Sequence, residues 1–417
     1  MEKEDYCNKE FSTRIIGSKF GKKDAHGAIS MPIYRNAAFE FESSEAIANA
    51  FQYKESAHTY SRISNPTVEN LEMKIKSASG ADNVMVVSSG MAAISNTFLT
   101  LAYAGCNIVS SPHLFGNTFS LLKITLAEFG VEVRFVDTDN LEEIANAIDK
   151  NTVAFFCELI TNPHMEIADL TEIKKITKAR NVPMIVDTTI VPWCGFDAKE
   201  AGVDIEVVST TKYVSGGATS IGGAILDYGT FDWTHNRKLA NIPHSENLSS
   251  FSFKLKREIA RNIGACLDSE SASLQALGMD SLEIRFEKMS QSAFDLALFL
   301  SEQSKVVAVN YPKLENSRYK KISDKLFTSN PGAMLTFSLA SQKECFRFQD
   351  RLTLIRRATN LFDNKTLIIH PESTIYGTFS QEMKEAIGIK DNLLRLSVGL
   401  ENLKDLKSDI IRALDTI

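Results

Sequence analysis

The sequence predicts an α/β protein, with a large domain on a mostly parallel sheet of about seven strands and a smaller α+β domain after it. Three observations lead there. Short β-branched runs alternate with amphipathic stretches through the middle of the chain, the texture changes after about residue 266, and residues 1–65 carry neither pattern.

The first 65 residues are mixed and polar, punctuated by Gly17, Gly21, Gly27 and Pro32 and closed by Pro66. A helical period is absent until about 44–53, so the segment reads as an arm and not a domain. From 66 onward, apolar runs occur at 83–87, 107–110, 131–136, 152–157, 183–186, 205–208 and 223–226. Helical patterns at 91–101, 118–129, 141–149 and 170–179 separate most of them. Near-continuous apolar strands alternating with helices indicate a sheet buried on both faces. Ligands of such sheets sit outside the carboxyl ends of the strands. Beyond 266, a long helical stretch at 282–300 leads into apolar runs at 306–309, 333–339, 366–369 and 394–397, with charged helices following Glu344 and Glu401. The expected division is therefore an arm, 1–65, a large domain, 66–265, and a C-terminal domain, 266–417.

Composition narrows the function. The 417 residues are 44% hydrophobic and 24% charged with a net charge of −6, enough for a large core without staples. With no Lys/Arg-rich run to follow a phosphate backbone, nucleic acid is not an expected partner. Cys7, Cys106, Cys157, Cys194, Cys266 and Cys345 are scattered, with no C-x-x-C and no Cys/His pair at ligand spacing. Free thiols in a reducing compartment, and no metal site, are the expectation. The N-terminal residues are charged and lack an apolar signal region, and no run reaches a membrane-spanning length. Together these suggest a cytoplasmic protein.

Chemistry gathers around Lys212. The run 205–208 leads into Ser209-Thr210-Thr211-Lys212 and then into Gly216-Gly217-Ala218-Thr219-Ser220-Ile221-Gly222-Gly223. A lysine at a strand end among hydroxyls and glycines can be desolvated, which lowers its pKa and frees the amine as a nucleophile for a carbonyl. A lone lysine is more often a solvated surface charge. Asp187 ends the apolar run Val182-Pro-Met-Ile-Val-Asp, 25 residues earlier. A lone aspartate is more often a helix cap or a loop residue. Paired with Lys212, it suits pyridoxal 5′-phosphate (PLP), which needs an amine to hold its aldehyde and an acid at its pyridine nitrogen. Ser88-Ser89-Gly90-Met91-Ala92-Ala93 follows a strand and opens a helix, where backbone N–H groups can take a phosphate. It also reads as an ordinary N-cap.

In company, these segments carry a resemblance. Tyr60-Ser-Arg62-Ile-Ser-Asn-Pro-Thr, Ser89-Gly-Met, Thr161-Asn-Pro, Asp187-Thr-Thr, Ser209-Thr-Thr-Lys-Tyr, Gly222-Gly and Arg395-Leu-Ser-Val-Gly-Leu-Glu resemble, in order, the fingerprints of the PLP enzymes of Cys/Met metabolism. That family includes cystathionine γ-synthase, cystathionine lyases, methionine γ-lyase and O-acetylhomoserine sulfhydrylase. The resemblance implies a PLP-dependent transferase type I fold in a homotetramer of two active dimers. It implies that Lys212 holds the cofactor and moves protons, that Asp187 meets the pyridine nitrogen, and that Ser89, Gly90, Met91, Ser209 and Thr211 cradle the phosphate. Tyr60 and Arg62 would reach the phosphate of the neighbouring subunit. Asn162 would lie near the ring oxygen, and Arg395 would clamp the substrate α-carboxylate, with Asn360 also at the substrate.

Other positions discriminate among members. Thr219-Ser-Ile-Gly-Gly and 358–374 look like the sulfhydrylase branch, where lyases carry Ser in place of Asn360, and Asn117 stands where methionine γ-lyase has Cys. Phe115 stands where the family has Tyr, Gly217 and Tyr376 where it often has His. Phe115 keeps a stacking surface for the cofactor ring but has no proton to give. The expected activity is replacement of acetate on O-acetyl-L-homoserine by sulfur, giving L-homocysteine for methionine biosynthesis. Free sulfide, a thiol or sulfur carried on another protein are all possible donors. Methionine γ-lyase or a cystathionine-type γ-elimination is the alternative.

Overall fold

The computed structural model describes residues 9–18, 24–242 and 248–417; Cys7, Gly21 and the extreme N-terminal residues read above lie outside them. Two sheets organise the chain. The first comprises β1 (Asn83–Val87), β2 (Asn107–Ser110), β3 (Glu132–Phe135), β4 (Thr152–Glu158), β5 (Met184–Asp187), β6 (Ile205–Val208) and β7 (Gly223–Asp227). Their order is β1-β7-β6-β5-β4-β2-β3, and only β7 runs antiparallel to its neighbours. This is the mostly parallel seven-stranded sheet that the apolar runs predict.

Side chains along each strand divide between two cores, as the two-residue pleat requires. Phe155 and Cys157 of β4 join the core on one face, and Ala154 and Phe156 join the core on the other. Val186 and Ile185 of β5 divide in the same way. Each buried Phe, Ile or Val among them contributes about 1.5–3 kcal/mol relative to exposure, which is why these strands read as apolar runs.

Helix boundaries follow local chemistry. Ser89, extended, caps Gly90–Leu101 by accepting the Ala92 N–H at 3.0 Å. Pro66–Ser79 begins with an Asn65 cap and proline at its first position, and ends on Gly80 in the left-handed region. The stretch read as one helix at 118–129 is an α-helix, Gly116–Ser120, a π-turn, Leu121–Thr125, and a short helix, Leu126–Glu128.

The second sheet comprises β8 (Ala308–Asn310), β9 (Met334–Ser338), β10 (Arg356–Arg357), β11 (Leu367–Ile369) and β12 (Leu393–Ser397), in the order β10-β11-β12-β9-β8. The 20-residue helix Leu282–Ser301 packs on β8 and β9. Tyr213, the residue after Lys212, ties the two halves together. Its hydroxyl accepts the Ala333 N–H at 2.9 Å, and its ring stacks on Phe362 at 4.3 Å. No helix among the described residues is long and apolar enough to cross a membrane.

Candidate active site

The site lies at the carboxyl ends of β4, β5 and β6, where open α/β sheets bind ligands. Glu158 ends β4 and Asp187 ends β5, and the two residues are direct register partners. Lys212 follows the end of β6 and is half-buried. Burial is the main cause that lowers its pKa, to about 8; the charge of Arg395 lowers it further and Asp187 opposes them. Its amine donates to Asn360 Oδ1 at 2.7 Å.

A compact cradle surrounds the lysine. Gly90 opens its helix directly against Ser209: a Cβ at position 90 would lie 2.7 Å from the Ser209 Cβ. The first N–H groups of that helix have no partner within it, so Gly90 and Met91 offer an anion site beside Ser209 and Thr211. Thr211 Oγ1 donates to the Gly222 carbonyl at 3.2 Å and accepts the Gly222 N–H at 3.0 Å. Its hydroxyl must turn from that carbonyl to donate to a phosphate.

Arg395, on β12, is 2% exposed. Its Nη1 donates to Asn162 Oδ1 at 3.2 Å and its Nη2 to the Thr359 carbonyl at 3.0 Å. Its buried Nε has no partner, and none of its contacts among the described residues is a carboxylate. Burial lowers its pKa to about 10. A buried guanidinium without a counter-charge is unfavourable until an anion joins it. The site therefore offers a planar fork for an incoming carboxylate beside Lys212.

Asp187 accepts the Thr189 N–H at 3.0 Å, and burial raises its pKa. Glu158 is raised to about 8, first by burial and then by the charge of Asp187. Its Oε1 accepts the Phe115 N–H at 2.5 Å and its Oε2 the Asn162 N–H at 3.2 Å. Sequence reasoning missed Glu158, although it carries the same signal as Asp187, an acid closing an apolar strand.

Phe115 is half-buried at the start of Gly116–Ser120, and Asn117 is exposed. Tyr376 is 1% exposed, and its hydroxyl lies 3.2 Å from the Leu114 carbonyl and 3.0 Å from the Asn162 carbonyl. At Gly217 the backbone has a φ of +138°, and a Cβ would lie 2.5 Å from Asn364 Nδ2. Asn364 in turn donates to the Gly216 carbonyl at 2.8 Å.

Tyr60 and Arg62 make no hydrogen bond to Lys212, whose amine bonds to Asn360. Arg62 donates to the Arg261 carbonyl at 2.5 Å and sits 5.5 Å from the Tyr60 ring. Arg62 lines a separate cavity of about 1260 Å³, with Tyr53, His58, Arg257 and Arg261.

The desolvated amine, the acid at a neighbouring strand end and the glycine-lined phosphate cradle fit PLP. Comparison with known proteins agrees. The family model of the Cys/Met metabolism PLP-dependent enzymes matches residues 12–415. O-acetyl-L-homoserine sulfhydrylase 1 of Thermus thermophilus is 37% identical, covering 92% of this chain and 94% of its own. L-methionine gamma-lyase of Fusobacterium nucleatum subsp. polymorphum is 35% identical over 95% of both chains. A putative O-acetylhomoserine (thiol)-lyase from Campylobacter jejuni, solved with a pyridoxyl-lysine phosphate, superposes with a TM-score of 0.91 at 33% identity, covering 97% of this chain and all of that one. With its type I fold, this chain belongs to the Cys/Met-metabolism family of PLP-dependent enzymes.

Proposed function

We propose that this enzyme is an O-acetyl-L-homoserine sulfhydrylase, which replaces the acetate of O-acetyl-L-homoserine with sulfur to give L-homocysteine. Lys212 holds the cofactor aldehyde, Asp187 faces the pyridine nitrogen, Asn162 the ring oxygen, and Ser89, Gly90, Met91, Ser209 and Thr211 the phosphate. When bound, PLP supplies an electron sink that stabilises negative charge on the substrate.

The chain's own residues do the rest. Arg395 takes the substrate α-carboxylate in its fork, with Asn360 beside it, so that the bond to be broken stays aligned. The Lys212 amine, with its lowered pKa, accepts the proton from Cα at near-neutral pH. It then mediates proton loss at Cβ. Acetate leaves from Cγ, a sulfur nucleophile adds to the same carbon, and the protons return.

Phe115 is the observation that carries this reading. It has no proton for a leaving group, and the phenol of Tyr376 beside it is engaged by two backbone carbonyls. A carboxylate leaves as the base of an acid of pKa about 4 and a thiolate as that of one near 8.5, a gap on the order of 6 kcal/mol. An acetyl ester needs no acid, whereas a thioether benefits from one.

The rival is methionine γ-lyase, favoured by the 35% identity to that enzyme. Purified protein should form homocysteine and acetate from O-acetylhomoserine and sulfide, and turn over methionine slowly. Rapid release of 2-oxobutyrate and methanethiol from methionine overturns the proposal. Repeating the assay with a thiol, and with sulfur carried on another protein, identifies the sulfur donor.

We further propose a homotetramer of two active dimers in which Tyr60 and Arg62, on the arm 1–65, serve the neighbouring subunit's phosphate. Arg62 bonding to Arg261 and not to Lys212 supports that reading, and so does the exposure of Ile29, Ile33, Phe51 and Tyr60 on the arm.

A further inference from the structure

Two side chains grip the same pair of backbone units from opposite ends. The peptide group joining Leu114 to Phe115 donates its N–H to Glu158 Oε1 at 2.5 Å, and its carbonyl lies 3.2 Å from the Tyr376 hydroxyl. Asn162 repeats the arrangement: its N–H donates to Glu158 Oε2 at 3.2 Å and its carbonyl lies 3.0 Å from the same hydroxyl. The segment of Phe115 and the segment of Asn162 are thus fixed to each other at four points. Glu158 accepts one hydrogen bond at each oxygen, and the single proton of the Tyr376 hydroxyl is shared between the two carbonyls. Together they set the Asn162 side chain, whose Oδ1 receives Arg395 Nη1 at 3.2 Å.

We propose that Tyr376 is a positioning residue for the amino-acid substrate, acting through Asn162 on the orientation of Arg395 and through Leu114 on the ring of Phe115. This rests on the reading above, in which Arg395 receives the substrate α-carboxylate. The surroundings suit the task. Tyr376 packs over Gly116, where a Cβ would lie 3.7 Å from the phenol ring, and meets Phe379 edge-on at 5.4 Å. These contacts hold the ring so that the hydroxyl keeps both carbonyls in reach. Burial and the neighbouring Glu158 charge raise the phenol pKa, so the group remains a donor across the working pH range. Its single proton is shared between two acceptors, and Phe at this position would leave both carbonyls without a donor.

The test uses the holoenzyme and glycine, an amino acid with no γ leaving group, in a titration followed by cofactor absorbance. Tyr376→Phe should weaken glycine about five- to tenfold, as expected for loss of one shared hydrogen bond, and raise KM for O-acetylhomoserine by a similar factor. The cofactor dissociation constant, measured with the apoenzyme, should rise less than the glycine constant, because Asn162 and Phe115 also face the cofactor whereas Arg395 meets the substrate. Arg395→Leu is the control. If it leaves glycine binding intact, the carboxylate reading fails. If it abolishes binding while Tyr376→Phe binds glycine normally, the positioning role alone fails. An equal loss of cofactor and glycine affinity in Tyr376→Phe also overturns it, because that is general loosening. Should Tyr376→Phe not fold, Glu158→Gln disturbs the same two backbone segments from the other side and must weaken glycine selectively for the proposal to stand.

Discussion

The amine of Lys212 and the amide oxygen of Asn360 meet at 2.7 Å, although 148 residues separate them. One belongs to the loop after β6 and the other to the segment between β10 and β11. Through this bond the smaller sheet reaches the amine proposed to move protons. A hydrogen bond to an ionisable amine is worth about 1.5–3 kcal/mol. Asn360→Ala should therefore lower kcat/KM roughly tenfold or more while cofactor content is retained, as checked by steady-state kinetics and the absorbance of the purified protein.

The lowered pKa of Lys212 has a direct pH signature. Only the neutral amine attacks an aldehyde, so PLP capture by the apoenzyme should accelerate as pH rises through about 8 and level off above it. An unperturbed lysine would show the rise near 10.4. Arg395→Leu removes a positive neighbour, so the midpoint should move upward. The sign for stability follows from linkage. Between about 8 and the unfolded value, unfolding takes up a proton, so apoprotein stability falls as pH is lowered across that window and is constant for this group below it. Stopped-flow absorbance and thermal melts across pH measure the two effects.

Gly90 tests the phosphate cradle. Its added methyl would meet Ser209 at 2.7 Å, and overpacking of this kind costs about 1–3 kcal/mol. Gly90→Ala should raise the cofactor dissociation constant at least about tenfold, measured by fluorescence titration of the apoenzyme, with a smaller loss of Tm than of affinity. Unchanged cofactor affinity would place the phosphate elsewhere.

Phe115→Tyr restores a phenol at the entrance to the Gly116–Ser120 helix. The variant should gain methionine-dependent release of methanethiol by about a hundredfold, a general-acid contribution at the lower end of the ordinary range. Its rate with O-acetylhomoserine should change less than about threefold, because acetate departs without a proton. Parallel assays of both substrates decide the matter.

Much of this architecture is legible in the residues. The runs at 83–87, 107–110 and 205–208 are the strands β1, β2 and β6 to the residue, because a strand buried on both faces is mostly apolar between polar turns, with Glu206 of β6 an exception, buried and bonded to Thr188, Trp193 and Tyr228. The run at 152–157 stops one residue short, and that residue is Glu158: an acid at a strand end reads as the start of a loop, although it continues the ladder opposite Asp187. The helix Pro66–Ser79 has its cap, proline and terminal glycine in plain view, but its charged face weakens the apolar period. The π-turn Leu121–Thr125 has no compositional mark. Tyr376 stands out in sequence only as a residue unlike the family's. Its bonds to Leu114 and Asn162 span 262 and 214 positions, and no local pattern encodes such a meeting.

Gly217 and Asn364 bear on how this enzyme can change over generations. The amide of Asn364 fills the space that a side chain at position 217 would enter, and the backbone there has a φ of +138°. That amide is the far end of a flexible side chain, so a side chain at 217 requires Asn364 to swing away and give up its bond to the Gly216 carbonyl, while the positive φ adds a strain of its own. What position 217 can hold is thus set in part by position 364, and the two sites constrain each other's substitutions.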